Sequence, residues 1–180
     1  AITGSCGKTT LKELLGNTLK KISKVSISPK SYNNKYGVPL SLINLNRTDN
    51  YGVLEVGMDK KGEIDYLSKI LKPDISVITN VNYAHAKNFK SIKHIALAKA
   101  EIIHNTGPNG YVVLNADDDF FNFHRKIAYQ NNLKVFSFGI ENKHSNLKLL
   151  NITKEKKYFK ILIKINNCKK YFIISNDFKS

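Results

Sequence analysis

The chain opens on a strand stub that runs straight into a glycine-rich loop and then into an amphipathic helix. Residues 1–10 read AITGSCGKTT, and the segment KTTLKELLGNTLKK (8–21) follows with leucines on one helical face. In such an arrangement backbone N–H groups and the helix N-terminus surround phosphate oxygens. Glycine suits the loop because the backbone must approach those oxygens in conformations that a Cβ would obstruct. The sequence therefore predicts a phosphate-binding loop.

The loop departs from the complete G-x-x-x-x-G-K-[ST] signature, because Ile2 stands where the first glycine would be. What remains is Gly4-x-x-Gly7-Lys8-Thr9. In this motif the lysine can reach the β- and γ-phosphates of a nucleotide, and the threonine hydroxyl can bind Mg²⁺. A glycine-rich turn without a ligand is the alternative, and the strand–loop–helix context favours phosphate binding.

Downstream, strand and helix patterns alternate, which predicts an α/β fold with a mostly parallel sheet flanked by helices. We expect strands at 24–27, 51–57, 74–81, 111–115 and 134–139, and helices at 8–21, 37–45, 62–71, 91–105 and 118–130. From about residue 147, apolar segments joined by polar turns predict a small antiparallel β-subdomain. We expect one domain of two parts, the α/β part that carries the phosphate-binding loop at 1–145 and the antiparallel extension at 146–180.

The net charge of +15 raises nucleic-acid binding as a function. Only Arg47 and Arg125 among the 29 basic residues are arginine, although nucleic-acid sites favour that residue for its bidentate contacts. The lysines are scattered, and in the densest stretch (154–172) they alternate with apolar residues. This pattern favours the solvated face of strands over an anion-binding surface.

Two further features define the class of protein. The chain lacks an apolar run near 18 residues, so we expect no membrane span. Cys6 and Cys168 stand at opposite ends without metal-ligand spacing, which favours two reduced thiols in a cytoplasmic protein.

Three polar residues stand in apolar surroundings. Glu55 interrupts VLEVG, His85 follows the apolar segment DISVITNV, and Lys99 lies in the centre of a helical stripe of isoleucine and alanine. A buried carboxylate needs a cation or a metal, and the carboxyl end of a parallel strand is where α/β sheets place ligands. A desolvated lysine amine has a lowered pKa and can react with CO₂ to give a carbamate, an oxygen ligand for Mg²⁺.

Each of these residues also has a structural alternative. Glu55 would form a salt bridge with a core lysine, His85 would be a hydrogen-bonded loop histidine, and Lys99 would extend its amine to the surface.

Five motifs in order resemble the central ATPase domain of the Mur ligase family, over about residues 1–140. They are TGSCGKTTLKE (3–13), YNNKYGVPLSLINL (32–45), VLEVGMDKKGEID (53–65), TNVNYAHAKNFKSIKHIALAKAEI (79–102) and VVLNADDD (112–119). The second resembles the branch of the family that adds D-alanyl-D-alanine to UDP-N-acetylmuramoyl-tripeptide. The chain departs from the family pattern at Cys6, at Ala86-Lys87 and in lacking a later GxHNxxN segment.

The resemblance implies roles for individual residues. ATP would be held by Gly4, Ser5, Cys6, Gly7, Lys8, Thr9, Thr10, Asn115 and Asp117. Two Mg²⁺ ions would be held by Thr9, Glu55, His85 and a carbamylated Lys99. The catalytic residues would be Lys8, His85 and Lys99, and Asn33 with Asn34 would face the peptide substrate.

The resemblance also implies a reaction, peptide ligation through an acyl phosphate, as a step of peptidoglycan precursor synthesis. The family's UDP-binding and last domains are expected outside this chain, which by itself would bind Mg-ATP weakly, catalyse nothing and be a monomer. The partners would be ATP, the UDP-linked peptide and D-alanyl-D-alanine, with neither nucleic acid nor membrane. A sister ligase of the folylpolyglutamate synthase or cyanophycin type and a basic nucleic-acid-binding domain are the alternatives.

Overall fold

The computed structural model describes residues 1–83, 88–166 and 168–175. Helices and strands alternate along most of the chain, and three long strands close it. The elements are β1 (Ile2–Thr3), α1 (Lys8–Leu19), β2 (Val25–Ile27), α2 (Gly37–Ile43), β3 (Tyr51–Val53), α3 (Glu63–Leu71), β4 (Ile75–Ile78), α4 (Ile92–His104), β5 (Tyr111–Asn115), α5 (Phe121–Gln130), β6 (Lys134–Gly139), β7 (Leu147–Lys154), β8 (Tyr158–Ile165) and β9 (Cys168–Ser175).

The main sheet has the strand order β1-β4-β5-β6-β7-β8-β9. Pairs from β1 to β7 are parallel, and β7, β8 and β9 pair antiparallel. β2 and β3 form a separate parallel pair, tied to β1 by backbone hydrogen bonds of Ile2 with Leu54 and Val56. The predicted fold class, a mostly parallel α/β sheet with antiparallel strands at the C-terminal end, is confirmed.

Helices cover both faces of the sheet. α3, α4 and α5 bury their apolar residues in one large cluster, whereas Leu11 and Leu19 of α1 pack on the other face against Ile2, Val53 and Val77. The described helices include none that is both long enough and apolar enough to span a bilayer. The arrangement places the loop after β1 and the ends of β3, β4 and β5 around one region of the surface.

The predicted leucine face of α1 is only partly correct. Leu11 and Leu19 are half-buried, but Leu14 and Leu15 are 50% and 37% exposed, and the helix instead buries Lys12 and Gly16. A Cβ on Gly16 would lie 2.3 Å from Cδ1 of Ile27, so the close approach of α1 to β2 takes place through this glycine. Hydrophobic periodicity was misleading here because a backbone contact decides which face turns inward.

The bounds of most elements differ from the prediction by one to four residues, and the strand expected at 74–81 ends at Ile78. Two further differences involve residues that contact the candidate site or its surroundings. The strand expected at 51–57 ends at Val53, and Glu55 makes only an isolated bridge with Ile2. The helix expected from 118 begins at Phe121, because the carboxylate of Asp118 accepts the N–H of Phe120 and holds a turn there.

Candidate functional site

The glycine-rich loop between β1 and α1 lies directly against the segment that follows β4. Gly4 has φ 148° and Gly7 has φ 78°, both in the region that favours glycine. The backbone N–H of Ser5 donates to the Asn80 carbonyl at 3.0 Å, and Oγ1 of Thr79 donates to the Cys6 carbonyl at 2.7 Å. These contacts fix the loop at the start of α1, where the N-cap residue Gly7 provides no side-chain cap.

Lys8, the first residue of α1, folds back over this loop. Its Nζ donates to the carbonyl of Gly4 at 2.9 Å and lies 3.5 Å from that of Ser5. An ammonium at a helix N-terminus, beside open backbone N–H groups, adds a full positive charge to the partial charge of the helix dipole. The loop can therefore bind a multiply charged anion.

Glu55 brings three separate segments together at the start of α1. Its side chain is 1% exposed, Oε2 accepts the Thr9 hydroxyl at 2.7 Å, and Oε1 accepts the Asn33 side-chain amide at 2.7 Å. The salt bridge with a core lysine, the structural alternative for this residue, is absent from the part of the chain that the structure describes. A carboxylate beside a hydroxyl oxygen is a donor set that suits Mg²⁺.

Lys99 lies on the buried face of α4 and is 2% exposed, so its amine does not extend to the surface. Burial is the largest cause that lowers the pKa of Lys99 from 10.5 to about 7. The nearby positive charge of Lys8 acts in the same direction, and Cys6 and Asp118 act against it. Much of this amine is therefore neutral near pH 7, the form that reacts with CO₂.

The comparison with known protein families shows to which family this chain belongs. The family model for the Mur ligase middle domain matches residues 2–175. The chain belongs to the Mur ligase family. Within that family, the chain is 40% identical over 152 residues to the UDP-N-acetylmuramoyl-tripeptide–D-alanyl-D-alanine ligase of Buchnera aphidicola (subsp. Acyrthosiphon pisum), an alignment that covers 84% of this chain and 33% of that protein.

Solved structures of Mur ligases have the same fold. MurF from Acinetobacter baumannii matches with a TM-score of 0.87 and 31% identity over 96% of this chain and 37% of that one. MurF from Thermotoga maritima, in complex with ADP, matches with a TM-score of 0.83 and 31% identity over 97% of this chain and 39% of that one. A mutant of L. casei FPGS shares the fold at 14% identity, with a TM-score of 0.68 over 93% of this chain and 51% of that one. The chain spans about a third of the length of the curated relatives it matches.

The two asparagines predicted to face the peptide substrate have different local contacts in this Mur ligase domain. Asn33 donates to Glu55, and Oδ1 of Asn34 accepts the N–H groups of Tyr36 and Gly37 at the start of α2. Both also line a cleft of about 250 Å³ beside Lys8. The role of Asn33 and Asn34 in substrate binding stays a prediction. If they bind the peptide, it would lie in this cleft.

Asn115 and Asp117, the two residues predicted to lie near the nucleotide, accept hydrogen bonds from nearby backbone N–H groups. Asn115 Oδ1 accepts the N–H of Asp117 at 3.0 Å. The carboxylate of Asp117 accepts the N–H groups of Ile140, Glu141 and Asn142 after β6. Desolvation raises the pKa of Asp117, but these three N–H groups together with the positive charge of Lys148 outweigh it, and the pKa is lowered overall.

We expect Asp117→Asn to weaken the fold and to flatten its acid response. Because the folded pKa of Asp117 lies below 3.8, its contribution is complete above that pH and is lost as the pH falls through the folded value. Urea unfolding at pH 3 and pH 7 measures this, with Asp119→Asn, an exposed neighbour, as the matched control. Equal effects of the two substitutions at pH 7 would contradict the assignment.

Sequence reasoning did not single out two polar residues near Lys99, the partly buried Asp118 and the buried His124. Oδ2 of Asp118 accepts the N–H of Val81 at 2.7 Å, which ties the end of β5 to the segment after β4. His124 on α5 is buried, and its Nε2 lies 3.0 Å from the Ala96 carbonyl oxygen. Burial lowers the pKa of His124, the Ala96 carbonyl and the charge of Asp118 act against it, and the positive charge of Lys99 lowers it by a smaller amount. The run of three aspartates in VVLNADDD was the available signal for the first, and nothing in the sequence pointed to the second.

His85, predicted as a catalytic residue and a metal ligand, lies outside the described residues, as do Ala86 and Lys87. Across residues 1–83, 88–166 and 168–175, no group of three or more His, Cys, Asp or Glu side chains could hold a metal ion. Within those ranges the predicted ligands Thr9, Glu55 and Lys99 comprise one hydroxyl, one carboxylate and one amine. The lysine would become an oxygen ligand only as a carbamate.

Proposed function

We propose that this chain forms the ATP-binding domain of a cytoplasmic peptide ligase that adds D-alanyl-D-alanine to UDP-N-acetylmuramoyl-tripeptide in cell-wall precursor synthesis. One observation carries the proposal: a buried carboxylate, Glu55, is hydrogen-bonded to Thr9 at the N-terminus of α1, beside a lysine-bearing glycine loop. Oxygen donors at this point fit the binding of Mg²⁺ together with nucleotide phosphates. The relatives are UDP-N-acetylmuramoyl-tripeptide–D-alanyl-D-alanine ligases, which supports the choice of substrates.

The chemistry begins with two anions that must meet. The peptide carboxylate attacks the γ-phosphorus of ATP, the bond to the β-phosphate breaks, and the D-alanyl-D-alanine amine then displaces phosphate from the acyl phosphate. Bound Mg²⁺ neutralises charge on the phosphate oxygens. Lys8 and the N–H groups of the loop would bind and orient those oxygens, and Thr9 with Glu55 would hold a metal ion at the start of α1.

Lys99 enters this scheme through its neutral amine. The Nζ lone pair attacks the carbon of CO₂, a proton leaves to solvent, and a carbamate with two oxygens remains. Together with His85 this group would hold the second Mg²⁺, and Asn115 and Asp117 would border the nucleotide. Asn33 and Asn34 would stand on the peptide side, in the cleft beside Lys8.

The test uses a complete ligase in which this chain forms the central domain. We expect phosphate release that requires ATP, Mg²⁺, UDP-N-acetylmuramoyl-tripeptide and D-alanyl-D-alanine together. Turnover with a folate and L-glutamate instead would identify a sister ligase. Mg-ATP-independent DNA binding at physiological salt, with a steep salt dependence and no phosphate release, would identify a nucleic-acid-binding domain. The chain alone is expected to be monomeric, to bind Mg-ATP weakly and to catalyse no ligation.

A further inference from the structure

Lys12 is a buried cation that the proposed mechanism does not use. It lies on α1 four residues after Lys8, and its side chain is 0% exposed. Its Nζ donates to the carbonyl of Ser28 at 2.6 Å and to the carbonyl of Lys30, and lies 3.1 Å from Oε1 of Glu13. Two of its three partners are therefore backbone carbonyls of one short segment.

Burial of the Lys12 ammonium costs free energy that a simple contact between a helix and a loop would not require. A buried ammonium loses its hydration, and a half-exposed carboxylate such as that of Glu13 offsets the loss only in part. An apolar side chain of similar length would fill the space without that cost. Lys30 also has φ 45°, a conformation that non-glycine residues rarely adopt, and the ammonium holds its carbonyl there. What the lysine adds is a fixed backbone at residues 28–30.

The segment fixed by Lys12 is the one that surrounds Glu55. The hydroxyl oxygen of Ser28 accepts the backbone N–H of Glu55 at 3.3 Å, and the Ser28 N–H donates to Val53 at 3.0 Å. Asn33 donates its side-chain amide to Oε1 of Glu55 and accepts the N–H of Gly57 at 2.7 Å. Both the backbone and the carboxylate of Glu55 are therefore held by residues 28–33.

We propose that Lys12 is a positioning residue for the Mg²⁺ site. It anchors residues 28–33 to α1, so that Asn33 turns one carboxylate oxygen of Glu55 away and leaves the other facing Thr9 on the same helix. The proposal rests on the proposed function, because it assigns Lys12 to the metal site of that reaction. Helix α1 then carries both Thr9, whose hydroxyl lies at the site, and Lys12, which orients the Glu55 carboxylate through residues 28–33.

The first test follows the loop without any ligand. Trypsin cleaves after Lys30, and the carbonyl of that peptide bond is the one that Lys12 holds. We expect Lys12→Met to speed cleavage at Lys30–Ser31 by about tenfold or more, because hydrogen bonds from a charged donor are lost. Lys21→Met, the same change at an exposed position just after α1, should leave that rate unchanged. Mass spectrometry of the early fragments identifies the cleaved bond.

The second test asks whether the effect reaches the metal through Glu55. In a complete ligase, Lys12→Met should raise the Mg²⁺ concentration for half-maximal ATP binding by about tenfold, the effect typical of losing a residue that orients a metal ligand. Binding of ATP without metal should change little. Glu55→Gln should reduce the effect of Mg²⁺ on ATP binding. Adding Lys12→Met to Glu55→Gln should have little further effect, since both substitutions act on the same metal ligand.

The outcomes separate the two proposals. If the wild-type ligase shows no Mg²⁺-dependent ATP binding, the proposed function fails, while the cleavage rates still report on the loop. If Glu55→Gln loses Mg²⁺ dependence but Lys12→Met behaves like Lys21→Met, or if the two effects add fully, the positioning role is wrong. Should Lys12→Met not fold, Lys12→Arg keeps the charge but alters the carbonyl contacts, and a smaller change in the same pattern is expected.

Discussion

A ligase carrying Lys99→Met is expected to lose about 100- to 1000-fold in turnover, the range seen when one preorganised electrostatic group is removed from an active site. Methionine fills the same space on α4 but cannot form the carbamate that would hold the second Mg²⁺. Lys93→Met, on the exposed face of the same helix, is the matched control and should retain full activity. Full activity of Lys99→Met would rule out the proposed role.

The same substitution should make the protein more stable at neutral pH. The folded pKa of Lys99 is lowered from 10.5 to about 7, so burial of the charged form opposes folding fully below pH 7. Between pH 7 and 10.5 the unfolded chain binds more protons, and this penalty shrinks as the pH rises. The stability gain from Lys99→Met should therefore be largest at or below pH 7 and fall by up to about 1.4 kcal/mol for each pH unit above it.

Urea unfolding at pH 6.5, 7.5 and 9, in buffer depleted of CO₂ and divalent ions, measures this difference. An advantage of Lys99→Met that does not change with pH would contradict the lowered pKa. A further variant, Lys99→Ala, tests the carbamate itself, because added bicarbonate or formate should restore part of the activity by occupying the place of the lost carboxylate. If neither anion restores activity and the stability advantage of Lys99→Met does not change with pH, both the carbamate and the lowered pKa of Lys99 are contradicted.

Gly4→Ala is expected to destabilise the fold and to distort the glycine-rich loop. A Cβ at this position would lie 1.9 Å from Oγ1 of Thr79 and 3.1 Å from its backbone N, and the φ of 148° strains any other residue. Thr79 is not free to move away, because its hydroxyl holds the Cys6 carbonyl. Strain and overpacking each cost about 1–3 kcal/mol, so we expect a loss of about 4 kcal/mol. The unfolding midpoint should fall by about 10 °C.

Gly107→Ala is the control for this substitution. A Cβ on Gly107 would meet the Pro73 carbonyl oxygen at 3.7 Å, an ordinary contact, and its backbone is not in the positive-φ region. Calorimetry of both variants, with ATP binding as a second readout, compares the positions directly. We expect Gly4→Ala to weaken ATP binding because the loop backbone shifts, whereas Gly107→Ala should not. Equal unfolding midpoints for the two variants would contradict the clash.

The elements that sequence reasoning predicted well are those encoded over short distances. The strands 111–115 and 134–139 match the structure at both ends, and the burial of Lys99 follows from the helical spacing of its apolar neighbours. The α/β class and the antiparallel C-terminal strands followed from the same kind of pattern. Period and spacing are properties of neighbouring residues, so they can be interpreted before any tertiary contact is known.

The errors lie where distant segments meet. The same periodicity that predicted α4 assigned Leu14 and Leu15 to the inner face of α1, although the structure turns Lys12 and Gly16 inward. The strand around Glu55 was predicted to be too long. The Glu55 side chain is instead hydrogen-bonded to Thr9 and Asn33, which are 46 and 22 positions away in the sequence. Neither outcome is visible in a local pattern, since each depends on which remote group comes within hydrogen-bonding distance.

The sequence by itself determined the glycine-rich loop between a strand and a helix, the alternation of strands and helices and the resemblance to the Mur ligases, because each depends on contiguous residues. Tertiary structure alone decided that Thr9, Asn33 and Glu55 share one hydrogen-bonded cluster and that Lys12 anchors the segment around it. The physical reason is that a buried charge must find partners wherever the fold provides them, and the packing of α1 against β2 and β3 determines which partners those are.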